Sequence, residues 1–168
     1  DGTISAASAT NLIITNPNGV SKLNWNGQGG SITNLTINHA DCVATLEDEN
    51  QTLLGNLTIT AGALTTLDTD GSSSRDLTVT EDVLVAAGGT FTGNSSAVIM
   101  RSLELGSGAG TFSAPDASGS CTITGRKNGT SRCMDIGNND NNFAGNGGTL
   151  TFTSANGGDL QGIEHLSA

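Results

Sequence analysis

The 168-residue chain has no tyrosine, one tryptophan, two prolines and two histidines, and its six basic residues face sixteen acidic ones. A formal charge of −10 repels polyanions, so neither nucleic acid nor an anionic membrane surface is an expected partner. No apolar run approaches the roughly 18 residues of a membrane span. His39 and His165 lie far apart, so neither a zinc cluster nor a histidine-based dyad can be assembled, and no Gly-x-Ser-x-Gly or Walker motif occurs. The chain opens DGTISAASAT, without the basic start and apolar stretch of a signal peptide. Asp1 in place of Met points to a processed or excerpted polypeptide.

What the chain does contain is glycine (24 residues) and a hydrophobic fraction of 35% beside only 13% charged residues. Disordered acidic chains are rich in charge and proline, so this Thr/Ser/Asn/Gly composition predicts a β protein full of tight turns. The length suits one domain over 1–168, either compact or an elongated stack.

Internal repetition decides between those two. Short β-favouring runs begin at Leu12, Leu35, Leu57, Val83, Leu103 and Met134, at intervals of 23, 22, 26, 20 and 31 residues. Behind each run lies a second apolar position: Val20, Val43, Leu64, Phe91, Phe112 and Phe143. A third run closes each unit, at 31–33, 53–54, 77–79, 98–100, 122–124 and 150–152. A unit this small cannot bury its apolar positions alone, whereas stacking brings each column into a continuous ladder. The expected fold is therefore an all-β, right-handed parallel β-helix (β-solenoid) of about six three-strand coils over 12–153. It carries an insertion at 126–133 and a C-terminal cap or partial coil at 154–168. Alternation in Leu-Thr-Ile-Thr and Leu-Thr-Val-Thr sends the aliphatic residues inward and threonine outward. Asn-Gly pairs, which favour hairpins, keep an antiparallel β-sandwich as the alternative.

The cadence of NLTIT (56–60), GALT (62–65) and DLTVT (76–80) resembles the β-helical repeats of bacteriophage tail spikes and fibres. It also resembles bacterial secreted adhesins of the autotransporter and filamentous haemagglutinin type. The resemblance covers 11–153. It implies a β-helix, and it is compatible with a virion fibre, spike or capsid decoration, with a cell-surface adhesin or matrix protein, or with a polysaccharide-cleaving enzyme.

Several groups are chemical candidates. Acids gather beyond the second strand of neighbouring coils: Glu47, Asp48 and Glu49, then Asp68 and Asp70, with Asp116 farther along. Such a cluster suits a calcium site, with Asp48, Asp68 and Asp70 the candidates, since calcium takes hard oxygen ligands. It also suits a glycosidase pair, or a solvated corner that keeps the rod soluble. The NNDNN run at 138–142 is oxygen-rich but lacks a calcium-loop pattern. Arg75 and Arg101, each just before a strand and near acids, read as charge partners rather than the bases of a β-helix lyase. Cys121 and Cys133 flank the insertion and are a disulfide candidate, with two buried free thiols the other reading; Cys42 reads as a small core residue.

Arg126, Lys127 and Arg132 are three of the six basic residues and all fall in the insertion. They make it a candidate interaction loop toward a neighbouring subunit or an anionic glycan, or else a turn whose charges offset nearby acids. Trp25 is a core plug at the first coil or a sugar-stacking platform. The five Asn-x-Ser/Thr sequences, at Asn34, Asn50, Asn56, Asn94 and Asn128, read as turn residues. With no catalytic constellation legible, the expected function is non-enzymatic, structural or adhesive, at a virion or extracellular surface and without a resident cofactor. The expected partners are further copies of the chain, other surface proteins or a surface glycan.

Overall fold

The computed structural model describes residues 2–4, 9–15, 19–26, 30–106, 110–136, 143–153 and 163–164. Every strand-to-strand pairing among them is parallel. Antiparallel contacts are confined to two isolated bridges, Leu67 with Ser74 and Asp116 with Gly147. The chain is thus a parallel β-solenoid, and the antiparallel sandwich is excluded. About four turns are traced, against the six units expected; 30–106 runs without a gap, and the outer units are described only in part. The C-terminal cap expected at 154–168 lies outside the described residues except for the strand Ile163–Glu164.

Each turn has three faces. On the first, Leu12, Leu35, Leu57, Val83, Leu103 and Met134 stand in register, at the starts read from the sequence. On the third, Ile32, Leu53, Val79, Met100, Ile123 and Phe152 form one inward column. Leu77, Val98, Cys121 and Leu150 form another beside it. Leu57, Leu103, Phe91 and Phe112 are all buried, each removing apolar area worth about 1.5–3 kcal/mol from water.

The second face corrects the expected column. Leu64, Phe91, Phe112 and Phe143 do stack in register, but the ladder continues through Ala44 and Ser21. Val20 and Val43 are the outward neighbours, 38% and 40% exposed. Side chains alternate with a period of two, so a slip of one residue exchanges core for solvent. Here the small Ala44 and the polar Ser21 take the inward positions, and Cys42 is buried beside them, as expected.

Corners hold the stack together with amide ladders. Asn34 donates to Asn11 Oδ1 at 2.8 Å, Asn34 Oδ1 accepts the Asn56 backbone N–H at 2.8 Å, and Asn56 Oδ1 accepts that of Asp82 at 3.1 Å. At another corner, Asn50 and Asp76 exchange bonds of 3.0 and 2.9 Å, and Asp76 accepts the Ala97 N–H at 2.8 Å. Turn residues thus satisfy backbone donors that the strands leave unpaired. The bend within Leu57–Thr65 needs Gly62, whose φ is +87° and which an added Cβ would bring within 2.3 Å of the His39 carbonyl oxygen.

Candidate functional site

The outward positions of the third face form the most regular chemical surface. Thr52, Thr78, Ile99, Thr122 and Thr151 occupy consecutive turns in one column. The neighbouring outward row follows the inward residues one position later and reads Thr33, Leu54, Thr80, Arg101, Thr124 and Thr153, so threonine alternates there with an exposed leucine and an arginine. Thr-x-Thr repeats build this surface because the central residue goes to the core while both β-branched neighbours face out. Among the described residues, the hydroxyls of Thr52, Thr78, Thr122 and Thr151 make no side-chain hydrogen bond. Other threonines are tied down: Thr124 in the neighbouring row donates to the Met100 carbonyl at 3.2 Å, Thr66 to the Gly93 carbonyl at 2.7 Å and Thr45 to Glu47 at 2.9 Å. The outward threonine was legible in the sequence; its gathering onto one face with free hydroxyls was not, although the Thr-x-Thr recurrence in the third runs carried the signal.

Beside this face runs a charged seam. Arg101 reaches back one turn, its Nε donating to Asp82 Oδ1 at 2.9 Å and its Nη1 pairing with Glu81. Its Nη2 lies 2.8 Å from Asp82 Oδ2 but off line for a hydrogen bond. Ser102 donates to the same Asp82 Oδ1 at 2.7 Å. Burial by itself would raise the Asp82 carboxyl, but hydrogen bonds from Arg101, Ser102 and the Asn128 backbone outweigh it and hold the group below its ordinary range. Arg101 is correspondingly raised, chiefly by its bond to Asp82.

The insertion closes onto this seam. Lys127 pairs with Glu104 and Arg132 with Asp135. The Asn128 N–H donates to Asp82 Oδ2 at 3.3 Å, and the Lys127 N–H to the Arg132 carbonyl at 2.8 Å. Two of the three expected interaction-loop cations are therefore engaged by acids of the same chain, and Arg126, though exposed, also has a partner. These contacts lay the segment against the rod. The reason is electrostatic: Glu81, Asp82, Glu104 and Asp135 line the adjoining rows.

The calcium candidates Asp48, Asp68 and Asp70, and with them Glu47 and Asp116, are occupied locally, whereas Glu49 is exposed and enters through its backbone alone. Asp68, buried, faces Arg75 Nη2 at 3.0 Å and accepts the backbone N–H of Ser72 and Ser73 at 3.0 and 3.2 Å. Asp70 accepts the Ser72 N–H at 2.8 Å and is lowered to about 2, first by the Ser72 hydroxyl and then by that N–H. Asp48, at φ +61°, accepts from Asn24 at 2.8 Å; Glu47 accepts the Thr69 N–H at 2.8 Å; Asp116 accepts from Ser95 at 2.7 Å and from the Ser118 N–H at 2.9 Å. Among the described residues no group of three or more His, Cys, Asp or Glu side chains is set to hold a metal ion. NNDNN lies outside the described residues. Arg75 and Arg101 are both charge partners of acids in the same chain.

Cys121 and Cys133 are separate buried thiols, the second of the two readings, rather than the candidate bridge. Cys121 sits in the third-face column between Val98 and Leu150, while Cys133 precedes the first-face strand Met134–Asp135, its carbonyl accepting from Leu103 N–H at 3.0 Å. The two thiols thus belong to different ladders. An apolar cavity of about 140 Å³ reaches Cys121, but burial pushes this thiol up to about 12, so it is not a thiolate nucleophile at neutral pH. Trp25 is fully buried and donates its indole N–H to the Thr52 carbonyl at 2.7 Å, which removes it as a sugar platform.

No protein-family model, no curated protein and no solved structure matches the chain. What the geometry assigns is the architecture: a parallel β-solenoid whose chemically distinctive surface is a threonine face bordered by an internally neutralised seam of charge.

Proposed function

We propose that the chain is a non-enzymatic structural or adhesive rod that works through its lateral faces. The observation that supports this most is the threonine column of the third face, whose hydroxyls are uncommitted while Arg75, Arg101, Lys127 and Arg132 are all engaged by acids of the same chain. A repeating neutral face suits contact with a repeating or extended partner. The setting we propose is a virion surface, as fibre, spike or capsid decoration, with a cell-surface adhesin or matrix protein as the second reading; both rest on the repeat cadence. Partners would be further copies of the chain, other surface proteins or a surface glycan.

Attachment is the test. Labelled full chain is incubated with intact bacterial cells and with their isolated surface polysaccharide, and soluble reducing ends are measured in parallel. Saturable attachment without new reducing ends is the expected result. Release of reducing ends that Asp68→Asn or Asp70→Asn abolishes would establish an enzyme instead, and absence of any attachment would remove the adhesive reading.

A further inference from the structure

The third face has a property that a general adhesive surface does not need: its β-branched column repeats turn after turn along the rod, and on three of those turns a second threonine stands beside it. Along the rod, Thr52, Thr78, Ile99, Thr122 and Thr151 repeat at the spacing of paired strands, about 4.7–4.9 Å. Across the column, Thr78 and Thr80, Thr122 and Thr124, and Thr151 and Thr153 stand two residues apart, about 6.6–6.8 Å, although the Thr124 hydroxyl donates to the Met100 carbonyl. The χ1 of threonine is restricted by its branched Cβ, so hydroxyl and methyl groups are held in a preset array before any ligand arrives.

We propose that this face binds ice. A rigid column of hydroxyls and methyls at the strand repeat is close to the shorter spacing of water oxygens on prism faces of hexagonal ice, and the column itself carries no charge, which suits an uncharged crystal. Free hydroxyls anchor water at lattice positions, and the methyls between them favour ordered water over bulk solvent. The composition of this one face favours ice over a sugar polymer as its occupant, so a glycan bound under the adhesive reading would be met on another lateral face. Carbohydrate faces are gripped by exposed aromatic rings, and here Trp25, Phe91 and Phe112 are buried, Phe143 and Phe152 are partly buried and packed against the core, and tyrosine is absent. Arg101, the one cation in the neighbouring row, is drawn down onto Glu81 and Asp82. Ile99 is the single non-threonine of the column, and it keeps the β-branched shape.

The inference rests on the reading that the lateral faces are the working surface. The full chain is measured for thermal hysteresis and for partition into a slowly growing ice hemisphere, with an inert protein of similar size as reference. The expected result is a hysteresis gap with faceted crystals and enrichment in the ice. Thr78→Tyr with Thr122→Tyr, outward substitutions whose folding is checked by the unfolding midpoint, should lose most of both effects, and Ile99→Thr should widen the gap. Exclusion of the folded chain from ice, or full retention of hysteresis by a folded Tyr variant, would overturn the proposal. If the chain is excluded from ice yet still attaches to cells or glycan, the ice inference fails while the adhesive reading stands.

Discussion

The rings of Phe91 and Phe112 stack with centroids 4.7 Å apart and planes 9° from parallel. That separation is the spacing of hydrogen-bonded strands, because the two residues are register partners in successive turns. Phe143 continues the stack at 5.7 Å. Truncating the middle ring leaves both neighbours facing a void, so Phe112→Ala should cost about 3–5 kcal/mol. Urea unfolding gives the value; a loss well under that range would mean that the second-face ladder does not hold the turns together.

Asp82 makes the stability depend on acid. Its folded pKa is held below the ordinary value, so the stabilisation is present above the ordinary carboxylate range, near pH 3.9, and is lost as pH falls through the folded value. Asp70, lowered to about 2, acts in the same direction. Melting temperature should therefore drop steeply below about pH 4. Asp82→Asn should flatten that drop and cost about 1–3 kcal/mol at pH 7, since Arg101 and Ser102 lose a charged acceptor. An unchanged pH profile in the variant would show that the seam does not contribute.

Two glycines with positive φ separate strain from collision. At Gly62 (φ +87°) a methyl group would meet the carbonyl oxygens of His39 and Cys42 at 2.3 and 2.6 Å, whereas at Gly71 (φ +71°) it meets nothing within 4 Å. Gly71→Ala should cost about 1 kcal/mol from backbone strain, and Gly62→Ala distinctly more. Equal losses would refute the close approach at Gly62.

The cysteines give a direct count. All three are buried free thiols, so a thiol reagent at pH 8 should label the native chain slowly and reach three equivalents on denaturation without reductant. One equivalent after denaturation would restore the Cys121–Cys133 bridge.

Lys127 and Arg132 are partly exposed, at 37% and 43% of the side chain, and solvent screens their ion pairs. Replacing Arg126, Lys127 and Arg132 with serine should change stability by no more than about 1 kcal/mol per pair and leave attachment to cells unaltered across a salt series. Salt-sensitive attachment lost in this variant would establish the segment as an interaction loop.

The sequence by itself determined the stacked parallel architecture and most of the core. Leu, Ile, Val and Phe recurring at unit spacing are buried together when successive units stack, and Thr alternating with them then faces out; the parallel pairings of the structure removed the antiparallel sandwich. Only the tertiary structure decided what depended on phase and on neighbours in other turns. The second-face register turned on Ala44 and Ser21, whose small side chains carry little hydrophobic signal beside Val20 and Val43. The fate of several acids and cations turned on partners about twenty or more positions away, as with Asp82 and Asn128, which meet across 46 residues. Periodicity is a local property that a sequence displays openly, whereas cross-turn pairing and the free hydroxyls of the threonine column exist only once the turns are stacked.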